Sequence, residues 1–153
     1  MAMHQAKIQD PNFPDFDIFV SDISERVLSR TKEGLYSQLE VQRGLSTKLL
    51  IEYFEKDENN SWRIKAVLRD KIRLKKINLL ESIPASVGIF EVIFCRNVLI
   101  YQSVENKIAV VDRLLRLVVP NGFLVLGAAE SMLGVSTAVK QVQFGTAVAY
   151  KKN

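Results

Sequence analysis

One run of twelve residues constrains this chain more than any other: Phe90-Glu91-Val92-Ile93-Phe94-Cys95-Arg96-Asn97-Val98-Leu99-Ile100-Tyr101. Val92, Ile93 and Phe94 are apolar in succession, the pattern of a strand covered on both faces. Such strands belong to parallel sheets, and parallel sheets need helical crossovers. The run then turns polar at Cys95-Arg96-Asn97. In open α/β sheets, ligands sit outside the carboxyl ends of strands. A strand that delivers an Arg, an Asn and a Tyr to one rim therefore reads as a candidate site.

The rest of the chain supports α/β alternation. Residues 16–21 read as a strand after a loop marked by Pro11 and Pro14. Ser24 is an N-cap for a helix to Glu33, and Gly34 its left-handed stop. Ser46 or Thr47 caps a second helix over 48–54, striped by Leu49, Leu50, Tyr53 and Phe54. Asp57-Glu58-Asn59-Asn60 is a turn cluster. Alternation through Ile64, Ala66 and Leu68, then Ile72, Leu74 and Ile77, predicts a hairpin over 61–76 with one apolar and one basic face, its second arm running on into the main sheet at Ile77. Ser103 caps a helix over 104–119 with Ile108, Val111, Leu114, Leu115 and Val118 on one side, stopped by Pro120-Asn121-Gly122. A buried strand is expected next at 123–127, and 140–144 with 146–150 form a closing hairpin about Gly145.

The chain carries +4 overall, yet 61–76 alone holds seven basic residues against Asp70. An anionic partner would meet that segment first. Nucleic acid is the weaker match, because Trp62 is the segment's one stacking aromatic. The chain has no run of 18 apolar residues, so no membrane span is expected. One Cys excludes an internal disulfide and fits a reducing cytoplasm. One His and one Cys cannot build a Cys/His zinc site, and no metal is expected.

The stretch Phe94-Cys95-Arg96-Asn97-Val98-Leu99-Ile100-Tyr101, preceded by Ile77-Asn78-Leu79-Leu80 and followed by Pro120-Asn121-Gly122 and Gly127-Ala128-Ala129-Glu130-Ser131, resembles the chemotaxis receptor methyltransferases, the CheR family. So do Ser21-Asp22-Ile23-Ser24 and Gly34-Leu35-Tyr36-Ser37. The resemblance runs through nearly the whole chain, in order. It implies an α/β fold: a truncated Rossmann-like class I methyltransferase sheet with a small antiparallel β-flap and a C-terminal β-hairpin. Residues 1–153 would be one partial methyltransferase domain with the flap at about 55–76. The implied activity is S-adenosylmethionine-dependent O-methylation of glutamate side chains on chemotaxis receptors, in the cytoplasm. By position, Asp22 would hold the ribose hydroxyls of the cofactor, Asn78 and Leu79 would line the adenine pocket, and Asn97 would also touch cofactor. Arg96 and Tyr101 would stand at the catalytic rim. Arg63, Lys65, Arg73 and Lys75 would dock the helical bundle of a chemoreceptor.

Each residue also has a plainer reading. Asp22 could cap a strand end, Asn78 could satisfy local backbone, and Tyr101 could be a core aromatic. Arg96 and Asn97 could be a solvated loop pair, and the basic face a lysine-guarded edge. Cys95 reads as a small buried hydrophobe and His4 as inert on a frayed helix. The family's first strand and Gly-rich loop have no counterpart in this sequence, and Met1 to Ile8 resembles the tail of the helix that comes after them. Gln102-Ser103 stands where the family has an aromatic and an acid. The chain would then be the later part of such an enzyme: a piece of a longer protein, a start placed at an internal Met, or a decayed gene. The alternative function is an incomplete domain that binds receptors or a signalling protein. Without the first strand, the strands at 16–21 and 90–95 would keep open edges, which points to a homodimer.

Overall fold

The computed structural model describes residues 1–57, 60–132 and 134–153. Glu58 and Asn59 of the expected turn cluster lie outside the described residues. The chain divides into two compact units, Met1–Ile77 and Asn78–Asn153.

The first unit opens with α1 (Ala2–Gln9), then β1 (Ile18–Asp22) and α2 (Glu25–Glu33). The Ser24 hydroxyl accepts the Val27 N–H, and Gly34 closes the helix at φ 67°. A Cβ at Gly34 would stand 2.6 Å from Ile64 Cγ2, so the position needs glycine for space as well as for conformation. Next come β2 (Leu35–Tyr36), α3 (Gln38–Gln42), α4 (Thr47–Tyr53), β3 (Phe54–Lys56), β4 (Trp62–Ile64), the single turn α5 (Ala66–Arg69) and β5 (Ile72–Lys76). Ser37 and Glu40 form a reciprocal capping box on α3. The Ser37 backbone and hydroxyl, with Arg30, hold the Glu40 carboxyl down at about 2. Strands β2, β4 and β3 make a small antiparallel sheet in that spatial order, over a core of Val41, Tyr53, Phe54 and Leu68. Strands β1 and β5 pair in parallel, from Ile18 against Ile72 to Asp22 against Lys76.

The second unit contains β6 (Phe90–Cys95), α6 (Val104–Leu117), β7 (Val118–Leu126), β8 (Val139–Phe144) and β9 (Ala147–Lys152). Its sheet has the order β6-β7-β9-β8, with β6 and β7 parallel and the rest antiparallel. Val110, Val111, Leu114 and Leu115 of α6 form a core with Cys95, Leu99, Leu124, Leu126, Met132 and Tyr150. Ile108 sits at the margin of that stripe and is exposed, where the sequence placed it inside.

Four expectations need correction. The basic hairpin over 61–76 does not form. β4 pairs with β3 and β2, while β5 pairs with β1 in the other sheet. The cause is the α5 turn: Asp70 N–H donates to Ala66 and Lys71 N–H to Leu68, which carries the chain away instead of folding it back. Helix α6 also ends earlier than read, at Leu117, because the residue before Pro120 disfavours helix and Val118 already pairs with Phe90. Third, β6 is covered on one face only. Cys95 is buried, yet Phe94 is 71% exposed and Val92 43%. Finally, His4 is not idle. Its Nδ1 and the hydroxyl of fully buried Tyr53 share a hydrogen bond of 3.1 Å, with the rings edge to face.

Candidate active site

The rim at the carboxyl end of β6 is built by two adjacent parallel strands. Ile93, Phe94 and Cys95 run beside Leu124, Val125 and Leu126, so both chains leave the sheet at the same level. Beyond β6, Arg96 is exposed, and its guanidinium has no hydrogen bond or ion pair among the described residues. Asn97 adopts a left-handed backbone at φ 58°, which turns the chain sharply after the strand. A short 3-10 turn, Leu99–Tyr101, comes next. Tyr101 is 78% exposed, which rules out the core-aromatic reading and presents its phenol at the rim.

The residue that holds this turn was not singled out from the sequence. Glu130 Oε1 accepts the backbone N–H groups of Val98 at 2.9 Å, Leu99 at 2.7 Å and Ile100 at 3.3 Å. Its Oε2 accepts those of Asn97 at 2.8 Å and Gly127 at 2.6 Å. Desolvation pushes this carboxyl up, but the N–H groups of Gly127, Asn97, Leu99 and Val98 together outweigh it and hold the group below the usual carboxylate range. Gly127 must be small here, since a Cβ would meet Glu130 Oε2 at 2.6 Å and Asn97 Oδ1 at 2.7 Å. The signal available in the sequence was an acid three residues past a glycine at the end of the neighbouring strand. Burial, with the Glu130 charge adding, raises the Cys95 thiol to about 11, so it is an inert packing residue as read.

The other expected site residues lie further along the chain in both directions. Asp22 ends β1, half-buried. Its Oδ1 accepts the Ser24 N–H at 2.8 Å, while Oδ2 carries no hydrogen bond among the described residues. The carboxylate is thus both a local cap and a free acceptor. Asn78 is engaged locally: its Oδ1 accepts the Leu80 N–H at 3.0 Å and its Nδ2 donates to Glu81 at 2.8 Å. Leu79 packs against the core of its unit, and its carbonyl accepts from Arg113 at 3.2 Å.

The four basic residues divide. Arg63 donates to the Glu33 carbonyl at 3.2 Å and pairs with Asp57 at 3.5 Å. Lys65 Nζ caps the end of α4, donating to Ile51 at 3.0 Å and Glu52 at 2.8 Å. Arg73 and Lys75 lie on β5, two residues apart on one face, with Arg73 exposed and Lys75 half-buried. A cavity of about 170 Å³ lined by Val27, Arg30, Thr31, Leu35, Tyr36 and Glu40 contains none of the expected site residues. No metal-holding cluster occurs among the described residues, and none of their helices is long and apolar enough to cross a membrane.

A family model described as CheR methyltransferase, SAM binding domain, matches residues 1–148. The chain belongs to the CheR family. Chemotaxis protein methyltransferase Cher2 of Pseudomonas putida KT2440 is 36% identical over 134 residues, spanning 88% of this chain and 48% of that protein. Chemotaxis protein methyltransferase 1 of Vibrio cholerae is 32% identical over 154 residues, spanning 99% of this chain and 56% of that protein. This CheR-family chain therefore spans about half the length of such relatives. The crystal structure of the N-methyltransferase NodS from Bradyrhizobium japonicum is similar in fold, with a TM-score of 0.51, 16% identity, and coverage of 89% of this chain and 73% of that one. The fold is accordingly a Rossmann-like methyltransferase α/β fold, as the CheR resemblance implied.

S-adenosylmethionine, which the CheR domain's description implies, finds a partial fit among these residues. A half-buried carboxylate at a strand end with one oxygen uncommitted suits a ribose diol, which donates two hydroxyl protons. The rim in the second unit carries the exposed Arg96 guanidinium and the exposed Tyr101 phenol.

Proposed function

We propose that this chain is the later part of the catalytic domain of a protein-glutamate methyltransferase acting on the cytoplasmic helical bundle of chemoreceptors. The observation that supports the reading is the rim itself: Arg96 and Asn97 follow the end of a parallel strand, and Tyr101 stands exposed on the 3-10 turn after it, in a chain whose family is CheR. When bound, S-adenosylmethionine would supply an electrophilic methyl group on a sulfonium sulfur. Asp22 would accept the ribose hydroxyls through Oδ2. A substrate glutamate is already ionised at neutral pH, so no residue here has to remove a proton from it. Arg96 would orient that carboxylate through paired N–H donors, and the Tyr101 hydroxyl would steady it. The chain's contribution is positioning and exclusion of water rather than proton transfer. Arg73, with Lys75 beside it, would supply the basic face for an acidic receptor surface. A second copy of the chain is the proposed partner along β6.

Titration of the full chain with S-adenosylhomocysteine, monitored by backbone amide NMR, tests this. Asp22 offers one uncommitted carboxylate oxygen, and a few hydrogen bonds at about 0.5–1.5 kcal/mol each correspond to a weak dissociation constant, about millimolar. Saturable shifts at Asp22 and at 97–101, lost in Asp22→Asn, are the expected result. No shift at these residues at saturating ligand would overturn the enzymatic reading and leave a receptor-binding module.

A further inference from the structure

We propose that Glu130 is a positioning residue of this rim: an internal carboxylate that fills a nest of backbone N–H groups and so fixes where Arg96, Asn97 and Tyr101 stand. The inference deepens the methyltransferase reading and rests on it for the meaning of the rim. The geometry stands without it.

After the last ladder position of β6, the N–H groups of Asn97, Val98, Leu99 and Ile100 point at no backbone carbonyl; all four converge on Glu130. Four consecutive N–H groups without a backbone acceptor are what a helix start or an anion nest presents. Such concavities ordinarily receive a phosphate or a carboxylate from outside. Here the chain supplies its own anion from 30 to 33 residues away. The fifth donor, Gly127, belongs to the neighbouring strand end, so one carboxylate ties two loops at the same edge.

The contact leaves little room for another arrangement. Asn97 is in the left-handed region, which brings its own N–H and that of Val98 onto different oxygens of one carboxylate. Gly127 is the one residue that lets Glu130 Oε2 and Asn97 Oδ1 approach as they do. Remove the carboxylate, and the N–H groups of 97–100 lose their acceptor, leaving the buried Leu99 side chain and the 3-10 turn to hold the segment. Arg96 is held at its base by Cys95 on one side and by this nest on the other. Tyr101, with its side chain exposed, is placed only through its backbone. The precision of both rim groups therefore passes through Glu130, which touches neither side chain.

The test uses the full chain, Glu130→Ala and Glu130→Gln, with amide hydrogen exchange read residue by residue. Expected for Glu130→Ala is a rise in exchange of about tenfold or more at Val98, Leu99 and Ile100, with Leu124 in the β7 ladder unchanged. Formate, added against chloride at equal ionic strength, should restore protection in Glu130→Ala by occupying the nest. Glu130→Gln, which keeps one acceptor oxygen, should lie between and still fold if the alanine variant does not. Unchanged exchange at 98–100 in either folded variant would overturn the proposal. So would an equal rise in the β7 ladder, or no recovery with formate, since both describe a general staple of the fold. The shifts caused by S-adenosylhomocysteine at 97–101 provide the link to function, and should weaken in Glu130→Ala and recover with formate. If the wild-type chain shows no such shifts, the methyltransferase reading fails while the exchange and formate results still decide the role of Glu130.

Discussion

At the scale of single residues, Glu130 makes stability depend on pH in a direction that can be worked out. Its carboxyl lies below the ordinary value of 4.5 in the folded chain because backbone N–H groups favour the charged form over the desolvation that opposes it. A lowered folded value means that the unfolded chain binds the proton more readily. The contribution is therefore complete above the unfolded value and disappears as pH falls through the folded one. Glu130→Gln should cost about 1–3 kcal/mol at neutral pH, because donors aimed at a carboxylate lose one oxygen and face an amide. The gap in unfolding free energy between wild type and variant should stay level down to the usual carboxylate range and then close. Two other shifted groups do not blur the comparison. The Cys95 thiol stays neutral, with its value near 11, and Glu40, at about 2, titrates alike in both proteins. Urea unfolding at neutral and acid pH would settle it; a gap that ignores pH would contradict the assignment. Asp22 and Tyr101 were singled out from the sequence because polar groups that follow an apolar strand mark the rim of its sheet. Glu130 was not, because its acceptors are needed only once two distant loops are brought side by side.

Among the elements, Arg63 and Lys65 hydrogen-bond to backbone carbonyls beside the small antiparallel sheet, while Arg73 stands exposed on β5. Lys65 binds two carbonyls at the end of α4, so Lys65→Met should loosen that sheet by about 1–2 kcal/mol while leaving little electrostatic signature. Arg73 is exposed on β5 with no ion pair among the described residues, so Arg73→Glu should leave stability within about 0.5 kcal/mol. If β5 docks receptors, the same change should weaken binding to an acidic receptor fragment and flatten its salt dependence. Equilibrium unfolding and binding across a salt series separate the two effects. Loss of binding in Lys65→Met with none in Arg73→Glu would reverse the assignment. The alternation over 61–76 was legible, but its pairing was not. Period-two patterning says that a segment is a strand without saying which strand lies beside it, and the α5 turn decided that question.

For the whole molecule, the open edge of β6 sets the expectation. β6 has one ladder neighbour, β7, among the described residues, and β1 likewise has only β5. Parallel strands are ordinarily covered, and an apolar strand left at an edge is a template for another chain. Phe94 at 71% exposure and Val92 at 43% lie on the bare face of that strand. Burying one Phe side chain contributes about 1.5–3 kcal/mol from each copy, to which new ladder hydrogen bonds along the open edge would add. The chain should sediment as a dimer at high micromolar concentration. Phe94→Lys should make it a monomer with an unchanged unfolding temperature, because the side chain is exposed in the single chain. A wild-type monomer at the same concentration that unfolds cooperatively would sink the idea.

The sequence by itself determined most helix caps and the closing turn. Ser24, Ser46 and Ser103 cap helices where they were expected to, Gly34 stops α2, and the closing hairpin turns at Gly145. These features rest on hydrogen bonds between residues three or four apart, so the information is local. Only the tertiary structure decided that β5 lies along β1, that His4 meets Tyr53 across 49 residues, and that Glu130 gathers five N–H groups from two loops. Each is a choice of partner made at long range. A donor pattern in sequence states that an acceptor is required, and packing alone selects which one arrives.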